Sequence, residues 1–170
     1  PETSYIDSKN LIERWHGRGR LRYAVSPRFA PTSTPDQLAT ACQLLREYPG
    51  THLQTHLSED KEEINWVKSL FPSCKNYLDV YKRAGLLGKR STFAHCLHLT
   101  EADWGILQDA GCSVAFCPSS NLFLGSGLFD LPRLQFADVK VGIGTDVGAG
   151  TSLSMLQTIA DAYKTQRLAG

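Results

Sequence analysis

Thr51-His52-Leu53-Gln54-Thr55-His56-Leu57-Ser58-Glu59-Asp60 is the stretch on which the fold turns. Thr51–Thr55 is a short run with strand character, and His56 stands at its end. Asp60–Phe71 then sets Ile64, Val67, Leu70 and Phe71 along one helical face. A strand, a polar residue at its end and a helix make one βα unit.

The unit recurs on both sides. Strand-like runs rich in β-branched and apolar residues occupy Leu21–Ser26, Thr92–Cys96, Ser113–Cys117 and Val139–Ile143. Helical periodicity marks Asp7–His16, Pro35–Glu47, Tyr77–Ala84, Thr100–Ala110, Asp130–Phe136 and Ser152–Leu168. Thr34, Pro35 and Gln37 form a capping-box pattern, Thr100 and Asp103 pair at another helix start, and Gly85 and Gly111 stand where left-handed caps belong. Five strands interleaved with helices imply a parallel α/β sheet, either open and doubly wound or part of a (β/α)8 barrel.

Polar residues separate these two architectures. The five runs lead in turn to Arg28, His56, His95, Asn121 (after a Cys-Pro-Ser-Ser turn) and Asp146. In a barrel all five gather at the C-terminal mouth, where barrel active sites are built. In an open sheet they form a row, and only those near the switch point meet. Two histidines and an aspartate from different strand ends make a zinc-ligand set, and zinc lowers the pKa of a bound water to about 7. Glu59, three residues after His56, is placed to shuttle protons in the same pocket.

Each residue also has a plainer reading. A lone strand-end histidine is more often a hydrogen-bonded structural group, and His52 and His98 are expected to be so. Asp146 suits a turn, Arg28 a surface ion pair, and Glu59 and Asp60 the first turn of a helix. The joint placement favours a site. Gly142–Gly148 imitates a dinucleotide fingerprint but has Val147 where the third glycine belongs, and Cys96-Leu97-His98 lacks a second metal-binding pair.

Composition narrows the function classes. The chain has 170 residues, 42% hydrophobic and 21% charged, with a net charge of +1, which suits one globular domain and argues against electrostatic binding of nucleic acid or membrane. No apolar run is long enough for a bilayer. Five cysteines without a CxxC pair point to reduced thiols and a cytoplasmic location. The start at Pro1, without Met, points to a processed or excised segment.

Five motifs carry a resemblance to a known family: Ser26-Pro27-Arg28-Phe29, Gln54-Thr55-His56-Leu57-Ser58-Glu59, Phe93-Ala94-His95-Cys96, Cys117-Pro118-Ser119-Ser120-Asn121-Leu122 and Gly144-Thr145-Asp146-Val147-Gly148. From about Tyr5 onward the chain resembles the amidohydrolase superfamily and, within it, the guanine-deaminating branch. His-x-x-Glu, Cys-Pro-x-Ser-Asn and Gly-Thr-Asp are shared with other deaminases and triazine-type hydrolases, whereas Arg28-Phe29 is more specific to that branch.

The resemblance implies strands four to eight of a barrel, one zinc ion, and a cytosolic homodimer turning guanine into xanthine and ammonia. His56 and Asp146 would be metal ligands, and Asp146 also the base toward water. His95 would hydrogen-bond the metal-bound hydroxide or the tetrahedral intermediate. Glu59 would protonate a purine ring nitrogen and relay a proton to the amine. Arg28 and Phe29 would hold the purine. The strand-one His-x-His pair is missing, since no two of the five histidines are separated by one residue. These 170 residues alone are therefore expected to be inactive and to bind zinc poorly. Two other readings are a triazine or aryl-amine hydrolase with the same metal apparatus, and a non-catalytic open-sheet nucleotide-binding module.

Overall fold

A computed structural model describes residues 2–169, with the side chains of 135–137 excepted. Pro1, on which the expectation of an excised segment rests, lies outside the described residues. In chain order the elements are α1 (Glu2–Trp15), β1 (Ala24–Val25), α2 (Pro35–Glu47), β2 (His52–Leu57), α3 (Lys61–Leu70) and α4 (Tyr77–Arg83). There follow β3 (Ser91–His95), α5 (Glu101–Ala110), β4 (Ser113–Phe116), α6 (Pro118–Leu124), α7 (Leu131–Ala137), β5 (Lys140–Ile143) and α8 (Met155–Ala169).

Helix boundaries follow local capping chemistry. Thr34 accepts from Gln37 N while the Gln37 side chain accepts from Thr34 N, and α2 starts there as expected. Asp60 and Glu63 form the equivalent box before α3, as Thr100 and Asp103 do before α5. Gly111 ends α5 at φ +69°, a left-handed conformation that costs glycine nothing.

Strand limits depend on neighbours, and here the sequence reading needs revision. The expected Leu21–Ser26 strand shrinks to two residues, Ala24 and Val25, which pair with His52 and Leu53 of β2. His56 lies within β2 rather than after it. Asn121, expected after a turn, is inside helix α6, which Pro118 opens.

All four pairings are parallel, and the sheet order is the unbroken β1-β2-β3-β4-β5. Right-handed crossovers in an unbroken order put every helix on the same face. The core accordingly joins Leu53, Phe93 and Val114 of the sheet to Leu44, Tyr81 and Leu107 of the helices. A doubly wound sheet would reverse its order and carry helices on both faces. This is the layout of a barrel wall, with the opposite face turned toward the barrel axis.

On that opposite face the register aligns His56, Ala94, Ala115 and Gly142 in one row. Three small side chains beside one histidine leave room. A cavity of about 370 Å³ occupies it, lined by His56, Ala94, Ala115, Cys117, Gly144 and Asp146 among others.

Candidate active site

The strand ends bring four of the expected residues together. His95 Nε2 lies 3.5 Å from Glu59 Oε2 and 3.9 Å from Asp146 Oδ2. The His56 ring stacks on His95 with centroids 5.2 Å apart and planes 23° apart. Ligand atoms of His56, Glu59 and His95 lie within 4.8 Å of one another, as do those of His95, Cys117 and Asp146. His95 belongs to both groups and is the centre of the site.

Two hydrogen bonds orient the rings. His56 Nδ1 lies 2.7 Å from the Arg28 carbonyl, so it carries the proton and leaves Nε2 with its lone pair free. His95 Nδ1 donates to Asn121 Oδ1 at 2.8 Å, which leaves Nε2 buried without a partner. An outer partner that fixes the tautomer is a usual companion of a metal or catalytic histidine. The donor set of neutral imidazoles and carboxylates, with an orphaned buried nitrogen at its centre, fits zinc.

Strained backbone marks the same place. Ser58, His95, Cys96 and Asp146 have φ of +50°, +69°, +55° and +47°, four of the five non-glycine residues with positive φ among those described. Such conformations cost energy and concentrate at functional sites. Here they turn strand-end side chains into the mouth.

Glu59 is set apart from its acidic neighbours. Asp60 caps α3, and Glu63 completes the box while also accepting from Glu59 N at 3.0 Å. Glu59 therefore has no capping duty. Its Oε1 is buried without a partner, and burial pushes its carboxyl up to about 7; Glu63 and Asp146 push the same way, while His56 opposes them. Burial pushes the Cys117 thiol up to about 12, so on its own it stays protonated beside His95 and Asp146.

Arg28 and Phe29 border this cluster. The Phe29 ring is 5.9 Å from the His56 ring, and the exposed Arg28 guanidinium carbon sits 5.3 Å from the Phe29 centroid. His98 makes a structural contact, its Nε2 lying 2.9 Å from the Ser126 carbonyl, as expected. His52 faces the cavity as a half-buried side chain.

Sequence reasoning missed two contributions. Asn121 was recognisable as a strand-end polar residue, but its partner is 26 positions away and no local pattern joins them. Cys117 reads as a small hydrophobe, and only the tertiary arrangement places it beside His95 and Asp146.

Comparisons with known proteins agree with this geometry. The amidohydrolase family matches residues 2–170. Guanine deaminase of Escherichia coli is 58% identical over 99% of the chain, which spans 38% of that relative's length. Its solved structure superposes with a TM-score of 0.97, covering 99% of this chain and 39% of that one. Guanine deaminase of C. acetobutylicum, solved with guanine bound, gives a TM-score of 0.94 at 28% identity over 99% of this chain and 40% of that one. An adenosine deaminase of Xanthomonas campestris, solved with zinc bound, gives 0.89 at 25% identity over 97% and 37%. With its parallel barrel wall and a histidine–carboxylate cluster at the strand ends, the chain belongs to the amidohydrolase family.

Proposed function

We propose that the full-length protein carrying this chain hydrolyses guanine to xanthine and ammonia with zinc as cofactor, and that this chain is strands four to eight of its barrel. The observation carrying this reading is the convergence of Glu59, His95 and Asp146 on one point, beside the Arg28-Phe29 loop.

His56 and Asp146 would hold the zinc together with ligands from the rest of the barrel. When bound, zinc supplies Lewis acidity that brings the pKa of a water near 7. Asp146 takes a proton from the attacking water. His95, its Nδ1 proton committed to Asn121, offers the Nε2 lone pair to the hydroxyl that adds to the amine-bearing carbon. Glu59 is buried enough to hold a proton near neutrality; it protonates the purine ring nitrogen, takes the proton that the added hydroxyl loses on becoming the carbonyl and passes it to the departing amine, and is recharged by the proton Asp146 took from water. Arg28 donates to the purine carbonyl edge, and Phe29 packs against the ring. Water enters and ammonia leaves, so atoms balance.

The same reading makes the full-length enzyme a cytoplasmic homodimer. Among the described residues no helix is long and apolar enough to cross a membrane.

The test is a substrate panel on the zinc-loaded full-length protein. Guanine should exceed triazine and other aryl amines in kcat/KM by about 100-fold or more, because unpaired polar groups in the site penalise the wrong substrate. A preference for a triazine would replace this reading by the aryl-amine one. The 170-residue chain alone should bind zinc weakly, since two ligands do not complete a four-coordinate site. Tight, stoichiometric zinc in a dialysed sample of that chain would contradict the ligand assignment.

A further inference from the structure

The Arg28-Phe29 loop lies beyond the β1–β2 ladder. β1 ends at Val25, its ladder stops at the Val25↔Leu53 pair, and the loop runs on for four residues before the turn at Ala30–Thr32. Its position is set instead by hydrogen bonds to β2 and to one tyrosine of α4. The Arg28 carbonyl accepts from His56 N at 3.2 Å and Thr55 Oγ1 at 3.1 Å, besides the His56 ring.

Tyr81 supplies the second anchor. Its hydroxyl accepts from Ala30 N at 2.9 Å, donates to the His56 carbonyl at 2.8 Å, and lies 3.1 Å from Thr55 Oγ1. The residue is 0% exposed, and its ring is 5.6 Å from both Tyr77 and Phe93. Burial pushes the phenol up to about 12, so it remains a donor at any working pH. One rigid, neutral hydroxyl thus bridges the loop backbone just after Phe29 and the strand backbone at His56. Ala30 is itself fully buried, so its N–H has no solvent to turn to if that hydroxyl is lost.

We propose that Tyr81 is a positioning residue that ties the Arg28-Phe29 loop to the His56 strand end and so sets the separation between the purine-holding loop and the metal-side residues. This rests on the function proposed above for its kinetic consequence, but not for the tether itself. Tyr81 touches neither substrate nor metal; it acts through Ala30 and His56.

Tyr81→Phe in the zinc-loaded full-length protein is the test, read in two ways. Amide exchange of the segment spanning 26–33 should accelerate about tenfold, because the Ala30 amide loses its acceptor. KM for guanine should rise roughly tenfold with kcat much less affected, since the loop holds the purine while the reacting groups stand on other strand ends. A merely structural role would lower the active fraction, and hence apparent kcat, while leaving KM alone.

Thr55→Val, which removes the neighbouring hydroxyl at nearly constant volume, should shift both readouts in the same direction, and Thr55→Ser should restore them. Thr55→Val also stands in if Tyr81→Phe does not fold. Unchanged exchange, or a KM within about twofold of wild type in the folded variants, would overturn the proposal. If the wild type fails to turn over guanine, the functional reading falls and exchange alone decides the tether.

Discussion

Replacing Glu59 by Gln in the full-length protein should lower kcat for guanine by roughly 10²- to 10⁴-fold, the usual contribution of a positioned acid or base. Volume and shape are conserved, so what disappears is the proton. The carboxyl is poised to carry one because burial raises it to about 7, and because Oε2 points at His95 Nε2 from 3.5 Å. Stability should not fall with activity. A carboxyl whose folded pKa lies above its unfolded value of 4.5 costs stability as pH rises from there, with the full cost present above about 7. The uncharged amide escapes that cost, so the melting temperature of zinc-free Glu59→Gln at pH 8 should equal or exceed that of the wild type. Near-normal guanine turnover in steady-state assays would remove Glu59 from the mechanism.

Gly150→Ala should cost more than its size suggests: about 100-fold or more in kcat/KM, with loss of retained zinc, since small displacements of reacting groups are this expensive. A Cβ on Gly150 would lie 1.8 Å from the Thr145 carbonyl oxygen and 2.9 Å from that of Asp146. Both are backbone atoms and cannot step aside. The loop is already tight, with Gly150 N donating to the Asp146 carbonyl at 2.5 Å and Asp146 held at φ +47°. Any opening that admits a methyl group displaces the Thr145–Asp146 backbone and, with it, the Asp146 carboxylate. No residue of this loop belongs to the hydrophobic core, so circular dichroism should be nearly unchanged. Retention of zinc and of activity within about tenfold of wild type would show that Asp146 tolerates the displacement.

Much of the fold was legible because its signals are local. Thr34 with Gln37 marks the start of α2, and Gly111 the end of α5; such caps involve residues three or four apart, so a short window of sequence contains both partners. Strand ends were less legible. β1 is two residues long because its ladder to β2 ends at Val25, and Asn121 is helical because Pro118 starts a helix rather than closing a turn. Strand length and turn outcome depend on neighbours that a short window does not contain.

The site divides in the same way. Local pattern puts His56, His95 and Asp146 at or near strand ends, with Glu59 just beyond. A βα unit that places a polar residue after an apolar run can hardly put it elsewhere. The chain also carries the motifs that resemble the amidohydrolases. Long-range pairing set the strand order, and with it the barrel wall over the doubly wound sheet. Tertiary contacts also make Asn121 orient His95, Tyr81 hold the Arg28-Phe29 loop, and Glu59 keep a proton near neutrality. Those properties come from burial and from partners tens of residues apart, and neither exists until the sheet has assembled.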